Sequence, residues 1–227
     1  MSETPRMKEP QYQALFDAVE EYGVSSLGLM INQSWNQDPR RTLFTLSRYK
    51  FVAKMLVGKC RVLEVGCGDA FGTRLVQQTV EHVTAVDFDP VFINDVSERS
   101  DPHWPMESFV HDMLKGPVPG HFDAVFSLDV LEHISSEKEG LFLENCLSSL
   151  DSNGMAIFGM PSLESQEHAS AQSRAGHVNC KSGGDLMGLM SLYFHNVVIF
   201  SMNDEVIHTG FFPMAHYLIA LCCGKKS

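Results

Sequence analysis

Hydrophobic residues change their spacing near residue 60, and this change separates two kinds of predicted structure. Before it, they recur at the three- and four-residue spacing of amphipathic helices. Two helices are predicted there, with apolar stripes that consist of Tyr12, Leu15, Phe16 and Val19, and of Phe44, Phe51, Val52 and Met55. After it, short continuous apolar runs are typical of strands buried on both faces. These predicted strands cover residues 61–65, 83–86, 122–127, 155–158, 196–201 and 217–222.

Helical stripes also lie between the later strands, which indicates an α/β protein. The second N-terminal helix begins at Asp38-Pro39, an N-cap acceptor followed by a proline suited to the first helical turn. The later stripes consist of Leu143, Cys146, Leu147 and Leu150, and of Leu186, Leu189, Met190 and Tyr193. This alternation predicts a mostly parallel sheet with helices on both faces, in which the last two strands pair antiparallel. We expect residues 1–57 to form a helical extension or lid, and residues 58–227 to form one structural unit.

Composition and charge exclude several classes of protein. Hydrophobic residues make up 44% of the chain and charged residues 20%, which excludes a disordered chain. The net charge of -11 disfavours nucleic acids and anionic membrane surfaces as partners. The six cysteines lack CxxC spacing, residues 1–6 lack a signal-peptide pattern, and the most apolar stretch, 211–223, is interrupted by Pro213 and His216. We therefore expect a soluble, cytoplasmic protein with no nucleic-acid or membrane partner.

A glycine-rich loop, residues 64–72, joins the first predicted strand to a helix that begins near Gly72. Gly66 and Gly68 allow a tight turn and a close approach of the backbone to a ligand. Asp87 follows at the end of the second strand, where a carboxylate can accept both hydroxyl hydrogens of a ribose. Together these features predict a nucleoside-containing cofactor. The glycines alone are equally compatible with an ordinary strand-to-helix turn and an unrelated surface aspartate.

Charges beside the loop distinguish two cofactor classes. A nicotinamide site uses G-x-G-x-x-G to bind a pyrophosphate at a helix N-terminus. In this chain the third glycine, Gly72, comes one residue late, and Glu64 and Asp69 would repel a pyrophosphate. The same two carboxylates suit a cationic ligand, such as a sulfonium that also carries an ammonium group.

Three motifs resemble those of the class I S-adenosylmethionine-dependent methyltransferases. They cover residues 62–68, 86–89 and 129–134, and the resemblance extends over residues 45–223. It implies a Rossmann-like, seven-stranded and mostly parallel sheet with an antiparallel C-terminal edge strand. It also implies S-adenosyl-L-methionine as cofactor and S-adenosyl-L-homocysteine as product. Ala70 departs from the pattern, because many members carry a third glycine there; alanine is small enough to fit but can alter the turn.

The resemblance further implies a role for each cofactor residue. Glu64 lies near the methionyl ammonium, and the backbone of Gly66 and Gly68 approaches the methionine and ribose. Asp87 binds the ribose, and Phe88 packs against the adenine. The other implied contacts are Asp112 and Met113 at the adenine and Asp129 at the end of the fourth strand. For Asp112, a solvated carboxylate at a strand end remains an alternative.

The polar segment 161–181 is expected to bind the methyl acceptor, because open α/β sheets bind substrates beyond the carboxyl ends of their strands. His177 is the preferred general base and His133 the second candidate, although each also suits a structural role. The candidate substrate contacts are Trp35, Tyr49, His168, Arg174, Asn179 and Lys181. Arg48 is expected to face the cofactor's carboxylate. No metal site is predicted, because no histidine pair has HxxxH or HExxH spacing.

The sequence therefore predicts transfer of a methyl group to an oxygen or nitrogen nucleophile of a small metabolite, with a sugar-related acceptor as one option. Methyl transfer has no obligatory catalytic residue, so a non-catalytic regulatory partner that binds S-adenosylmethionine or S-adenosylhomocysteine is an alternative. An NAD(P)-dependent oxidoreductase is a further alternative, which the late third glycine disfavours. A monomer and a homodimer are both compatible with the composition.

Overall fold

The computed structural model describes residues 7–226, so the ends of the two predicted units, residues 1–6 and 227, lie outside the described residues. Residues 1–6, in which the sequence shows no signal-peptide pattern, are therefore not described. The α-helices are Ala14–Tyr22 (α1), Leu29–Gln37 (α2), Arg40–Met55 (α3), Thr73–Gln77 (α4), Pro90–Glu98 (α5), Glu139–Ser148 (α6), Ala171–Gly176 (α7) and Gly183–Tyr193 (α8). The β-strands are Arg61–Val65 (β1), His82–Asp87 (β2), Glu107–Val110 (β3), Phe122–Leu128 (β4), Leu150–Pro161 (β5), Phe194–Asn203 (β6), Val206–His208 (β7) and Tyr217–Lys225 (β8). Within residues 7–226, every helix is too short or too polar to cross a lipid bilayer.

The strands form one sheet in the order β3-β2-β1-β4-β5-β8-β6-β7. Neighbours from β3 to β5 pair in parallel, and β8 pairs antiparallel with both β5 and β6. The predicted mostly parallel sheet with antiparallel C-terminal strands is thereby confirmed. The sheet has eight strands rather than seven, because β7 forms a short hairpin with β6. Three residues are too few for hydrophobic spacing to reveal a strand.

Helices cover both faces of the sheet, as predicted. Successive side chains of a strand point to opposite faces, and both Val62 and Leu63 of β1 are 0% exposed. Leu63 packs in the core that includes α6 and α8, whereas Val62 packs in the core that includes α3 and α4. Each large apolar side chain buried in this way contributes about 1.5–3 kcal/mol to stability. The strands are therefore fixed from both sides, and their carboxyl ends form a rigid edge.

The described N-terminal part contains three α-helices rather than the two predicted. The sequence did not indicate α2 because only Ile31, at 3% exposed, is buried in it, so no apolar stripe forms. Trp35, expected outside the helices, lies in α2 and is 56% exposed. In contrast, Tyr49 and Val52 of α3 are buried against the sheet. α3 is thus part of the core, and α2 is a more loosely attached helix above it.

The carboxyl ends of the parallel strands lie along one edge of the sheet. β2 ends at Asp87 and β4 at Leu128, on either side of β1, which ends at Val65. The chain order of the strands reverses between β1 and β4. Open α/β sheets bind their ligands at such a reversal, so the loops after β1, β2 and β4 define the candidate site.

Candidate functional site

The loop after β1 adopts backbone conformations that favour glycine. The φ angle is +76° at Gly66 and +52° at Gly68, in the left-handed region that other residues rarely adopt. The backbone N–H groups of Gly66 and Cys67 donate to the Val86 carbonyl at 2.8 and 3.1 Å. A Cβ atom at Gly66 would collide with Val130 Cγ2, which follows β4. The loop therefore turns where the ends of β1, β2 and β4 leave no room for a side chain.

Ala70, at the position of the missing third glycine, also lies in the left-handed region, with φ of +51°. An L-residue in this region is strained by about 1–2 kcal/mol. We therefore expect Ala70→Gly to raise the free energy of unfolding by about 1 kcal/mol, after the greater chain entropy of glycine is included. Urea denaturation measures this change. Ala18→Gly, in the exposed middle of α1, is the control and should lower the free energy of unfolding by about 1 kcal/mol. A lower free energy of unfolding in both variants would contradict backbone strain at Ala70.

Asp87 ties the second strand to the glycine loop. Its Oδ2 accepts a hydrogen bond from the Gly68 N–H at 2.9 Å, and its Oδ1 accepts one from the Asp89 N–H at 2.9 Å. The side chain is 6% exposed. A carboxylate can accept about four hydrogen bonds, so each oxygen of Asp87 can accept one more. Asp87 thus lies beside the glycine loop, and its contact with a ribose remains a prediction.

Glu64 lies in β1, and its side chain is almost completely buried. Its Oε1 accepts a hydrogen bond from the Tyr49 hydroxyl and its Oε2 one from the Thr73 hydroxyl, both at 2.6 Å. It is 1% exposed. Burial raises the pKa of Glu64 to about 7, against the opposing effect of the two hydrogen bonds. Glu64 therefore joins α3 and α4 to β1, and Tyr49, expected at the substrate, is bound to it instead.

The raised pKa of Glu64 predicts a dependence of stability on pH. Between pH 4.5 and about 7 the folded chain keeps a proton on Glu64 that the unfolded chain has lost. The free energy of unfolding therefore falls as pH rises through this range, by about 3 kcal/mol from this group. Glu64→Gln should remove that part of the slope in urea denaturation at several pH values. Glu144→Gln, on the exposed face of α6, should keep it, and equal slopes in the two variants would contradict the assignment.

Residues predicted at the adenine line the ends of β2 and β3. Phe88 is 72% exposed beside Asp87, so its ring is free to pack against a ligand. Asp112 accepts a hydrogen bond from the Leu114 N–H at 3.0 Å and lies 3.5 Å from Lys115 Nζ. Met113 is 4% exposed. Asp112 is therefore partly engaged within its own turn, and the predicted adenine contact is not tested by these bonds.

The start of α2 covers the glycine loop. Asp69 Oδ2 accepts a hydrogen bond from the Ile31 N–H at 2.8 Å, and Gly28 contacts the Asp69 side chain so closely that a Cβ would collide with it. Met30 Sδ lies 2.6 Å from the position of a Cβ at Gly68. A ligand above Gly68 thus requires the flexible Met30 side chain to move. α2 is attached to the loop by few bonds and is positioned as its cover.

An ion pair closes the end of β4. Both Arg48–Asp129 distances are short, with Arg48 Nη1 donating to the two carboxylate oxygens at 2.9 and 2.8 Å. Asp129 has a φ angle of +58°, and the guanidinium lies 3.7 Å from the centroid of the Tyr217 ring. Although burial alone would lower it, the pKa of Arg48 is raised by the Asp129 carboxylate. Arg48 remains cationic, and Asp129, predicted to close the site, is held at the end of β4 by it.

A cleft of about 270 Å³ lies beside this ion pair. Its lining consists of Arg48, Pro161, Ser165, Gln166, His168, Ala169, Ser173, His177, His216 and Tyr217. Arg48, His168 and His177 were predicted site residues. The polar segment 161–181 contains a 3-10 turn, Glu164–His168, and α7. His216 and Tyr217 were not predicted, because they lie just before and at the start of β8, more than thirty residues further along the chain.

The predicted substrate residues Asn179, Lys181 and Arg174 do not line this cleft. Asn179 Nδ2 and Lys181 Nζ both donate to Glu139 Oε2 at 2.8 Å, and Lys181 also donates to Asn179 Oδ1. Asn179 is 8% exposed. Arg174 is exposed on α7 and does not line the cleft. Asn179 and Lys181 therefore fix the loop onto α6, and the cleft obtains its polar groups from other residues.

Two histidines and a buried glutamate meet at the edge of the cleft. The His133 and His177 rings are 5.2 Å apart, and Glu132 Oε1 lies 3.9 Å from His133 Nε2. Burial first, then the neighbouring His133, lowers the pKa of His177, so its imidazole is neutral at pH 7. Burial and the nearby Asp129 raise the pKa of Glu132. Sequence spacing predicted no such group; its one signal was the adjacent Glu132-His133 pair after a strand.

Comparisons with known proteins find similarity to methyltransferases. A family model described as "Methyltransferase domain" matches residues 62–154. The chain is 28% identical over 119 residues to a probable S-adenosylmethionine-dependent methyltransferase of Mycobacterium tuberculosis H37Rv. The matched region covers 50% of this chain and 41% of that protein. It is 27% identical over 137 residues to a ubiquinone biosynthesis O-methyltransferase of Xanthomonas campestris, covering 55% of each. The chain thus spans about half the length of the curated relatives it matches.

A solved structure extends the likeness of fold to most of the chain. The N-methyltransferase NodS from Bradyrhizobium japonicum WM9, in complex with S-adenosyl-L-homocysteine, matches with a TM-score of 0.59 and 18% sequence identity. The match covers 84% of this chain and 91% of that protein. At this identity the likeness concerns the fold alone.

Proposed function

We propose that this chain is an S-adenosylmethionine-dependent methyltransferase, and that it transfers a methyl group from S-adenosyl-L-methionine to an oxygen or nitrogen atom of a small molecule. The observation that carries the proposal is the Asp87 carboxylate bonded to the Gly68 N–H, at the reversal of strand order and beside a polar cleft. The cofactor supplies an electrophilic methyl carbon bound to sulfur. The chain's own residues bind the cofactor, orient the acceptor and take up its proton.

The cofactor fits the chemistry of the glycine loop. We propose that the Asp87 carboxylate accepts the ribose hydroxyl hydrogens and that the exposed Phe88 ring packs on the adenine. The backbone of Gly66 and Gly68 then runs against the cofactor, because no side chain separates them. The other proposed cofactor contacts are Arg48, Glu64, Asp112, Met113 and Asp129. α2, within the proposed extension 1–57, acts as the lid, and its Met30 moves away from Gly68 when the cofactor binds.

The acceptor occupies the cleft between Arg48 and His177 in this proposal. A volume of about 270 Å³ suits a small molecule, and the hydroxyl and amide groups of Ser165, Gln166 and Ser173 suit a polar acceptor such as a sugar-related metabolite. An in-line displacement gains most from positioning, and a hydroxyl acceptor also needs its proton removed. The neutral His177 is the proposed catalytic group, with His133 as its neighbour.

The proposed setting follows from charge and cysteine chemistry. The net charge of -11 disfavours nucleic acid and anionic membranes as partners, which leaves a small-molecule acceptor. All six cysteines are free thiols, and a reducing cytoplasm keeps them so. We propose a cytoplasmic enzyme that acts as a monomer or homodimer.

Radioactive methyl transfer tests the proposal. The purified protein is incubated with methyl-labelled S-adenosylmethionine and a panel of small hydroxyl- and amino-bearing compounds, including sugars and phenols. Label in an acceptor that depends on the protein supports the proposal. Binding of S-adenosylhomocysteine with no transfer to any member of a broad panel would instead favour the alternative, a regulatory partner that binds the cofactor without turnover.

A further inference from the structure

We propose that Glu132, His133 and His177 bind a divalent transition-metal cation at the edge of the acceptor cleft, and that this cation activates a hydroxyl group of the acceptor. The acceptor part of this inference rests on the proposed function. The cation site itself rests only on the three side chains. It also narrows the open choice of nucleophile to oxygen, because a neutral amine needs no proton removed.

The spacing of the three side chains suits a single cation. One ligand atom from each of them lies within 4.8 Å of the other two. Bonds of about 2.1 Å to one cation place neighbouring ligand atoms about 3.0–3.4 Å apart. Small side-chain rotations close the difference. His133 is the last residue of the short turn Leu131–His133, and His177 follows α7, so neither is fixed by a long element.

In its neutral form, each imidazole presents an unprotonated Nε2. His133 Nδ1 lies 2.8 Å from the Gly176 carbonyl, which can only accept a hydrogen bond, so Nδ1 carries the proton. His177 Nδ1 lies 2.8 Å from Gln166 Oε1. The amide nitrogen of Gln166 donates to the Ser162 carbonyl at 3.0 Å, which fixes that oxygen as the acceptor. Metal-binding histidines typically donate their second ring N–H to an oxygen in this way.

Glu132 supplies the independent observation that points to a cation. It is 1% exposed, and among the described residues its Oε2 has no hydrogen-bond partner. A buried carboxylate without a partner is costly. Of the nearby cationic side chains, Arg48 pairs with Asp129 through Nη1 while its Nε has no partner among the described residues, and Lys181 pairs with Glu139. A bound cation therefore satisfies an oxygen that the described chain leaves unpartnered.

The backbone holds His177 at this carboxylate. The Glu132 carbonyl accepts hydrogen bonds from the Val178 and Asn179 N–H groups at 2.9 and 3.0 Å. Glu132 and Val178 are separated by 45 residues in the chain, and these backbone bonds bring them together. The proximity of His133 and His177 therefore does not depend on side-chain contacts alone. The cluster is consequently a feature of the fold after β4.

Two imidazoles and one carboxylate are a ligand set of catalytic zinc and non-haem iron sites, in which three protein ligands leave positions open. His177 lines the acceptor cleft, so an open position faces the acceptor. With the cation bound, His177 is its ligand and not the proton acceptor; the cation lowers the pKa of the bound hydroxyl, whose proton leaves to solvent. The acceptor oxygen then forms a bond to the methyl carbon as the carbon–sulfur bond breaks, and the sulfur keeps that electron pair as S-adenosylhomocysteine leaves.

Cobalt titration tests the site with a spectroscopic readout. EDTA-treated full-length protein is titrated with Co²⁺, and we expect saturable 1:1 binding with visible ligand-field bands. Glu132→Gln and His177→Ala should each weaken this binding at least about tenfold. His121→Ala is the matched control: His121 is 79% exposed and lies 3.4 Å from Asp151, before β4, and its variant should bind as the unaltered protein does.

Binding of S-adenosylhomocysteine by the same samples separates the possible failures. Protein that binds S-adenosylhomocysteine but no Co²⁺, or whose Co²⁺ binding is unchanged in Glu132→Gln and His177→Ala, overturns the metal site. Protein that binds Co²⁺ as described but not S-adenosylhomocysteine overturns the proposed function and leaves the metal site standing. If Glu132→Gln does not fold, His133→Ala replaces it, because that side chain is 48% exposed.

Discussion

His177→Ala is expected to lower methyl transfer to a hydroxyl acceptor by about 10²–10⁴-fold. The variant lacks the imidazole of His177, which either accepts the proton of the acceptor hydroxyl or binds the cation that lowers the pKa of this hydroxyl. The affinity for S-adenosylhomocysteine should stay within about twofold, since His177 lines the acceptor cleft and not the glycine loop. Single-turnover transfer of labelled methyl measures the first effect, and titration calorimetry the second.

Two further variants interpret this result. His121→Ala lies at the opposite edge of the sheet, before β4, and should transfer methyl groups at the unaltered rate. His133→Ala should also be slowed, because its ring lies 5.2 Å from that of His177. Unchanged turnover in His177→Ala would contradict the catalytic assignment, and slowed turnover in His133→Ala alone would move the assignment to His133.

Asp87→Asn should weaken the binding of S-adenosylmethionine by about 30- to 1000-fold. Charge-assisted hydrogen bonds contribute about 1.5–3 kcal/mol each, and the substitution weakens two proposed bonds to the ribose by about 2–4 kcal/mol in total. The amide NH₂ group must also face either the Gly68 or the Asp89 N–H, so one loop hydrogen bond is lost. Titration calorimetry with S-adenosylmethionine measures the change.

Asp123→Asn is the matched control for this loss. Asp123 accepts hydrogen bonds from the Cys60 and Arg61 N–H groups at 2.8 and 2.9 Å, the same arrangement at the other end of the strands. Both variants should lose a similar amount of folding stability, whereas only Asp87→Asn should lose cofactor affinity. Equal affinities in the two variants would contradict a role for Asp87 beyond holding the loop.

Local patterns predicted the glycine loop and the strand ends at which the proposed cofactor contacts lie. The turn at Gly66 and Gly68 depends on backbone freedom that only glycine supplies readily, so the sequence and the structure agree there. The end of β2 follows from a buried apolar run, and its last residue, Asp87, necessarily lies at the edge where β1 also ends. Parallel pairing converts neighbouring strand ends into neighbouring loops.

The acceptor side depends on contacts between distant segments, which spacing does not reveal. His177 approaches Glu132 through backbone hydrogen bonds to the Glu132 carbonyl that residues 178 and 179 donate. The same segment turns Asn179 and Lys181 toward Glu139, so that two predicted substrate residues are fixed to α6 instead. Such choices are made by tertiary packing and charge pairing, and no local pattern encodes them.

The sequence did not predict α2 because this helix, too, is held by contacts with distant segments. Its attachment relies on one buried side chain, Ile31, and on two hydrogen bonds, from the Leu29 N–H to Asp95 and from the Ile31 N–H to Asp69. None of these produces an apolar stripe. A helix attached so sparingly is suited to move, and this agrees with its proposed role as a lid above Gly68.

Titration calorimetry of the unaltered protein tests the central claim most directly. The protein is titrated separately with S-adenosylmethionine, S-adenosylhomocysteine and NADH. We expect saturable 1:1 binding of both sulfur compounds and none of NADH. Binding of NADH without either sulfur compound would contradict the account and indicate the oxidoreductase alternative.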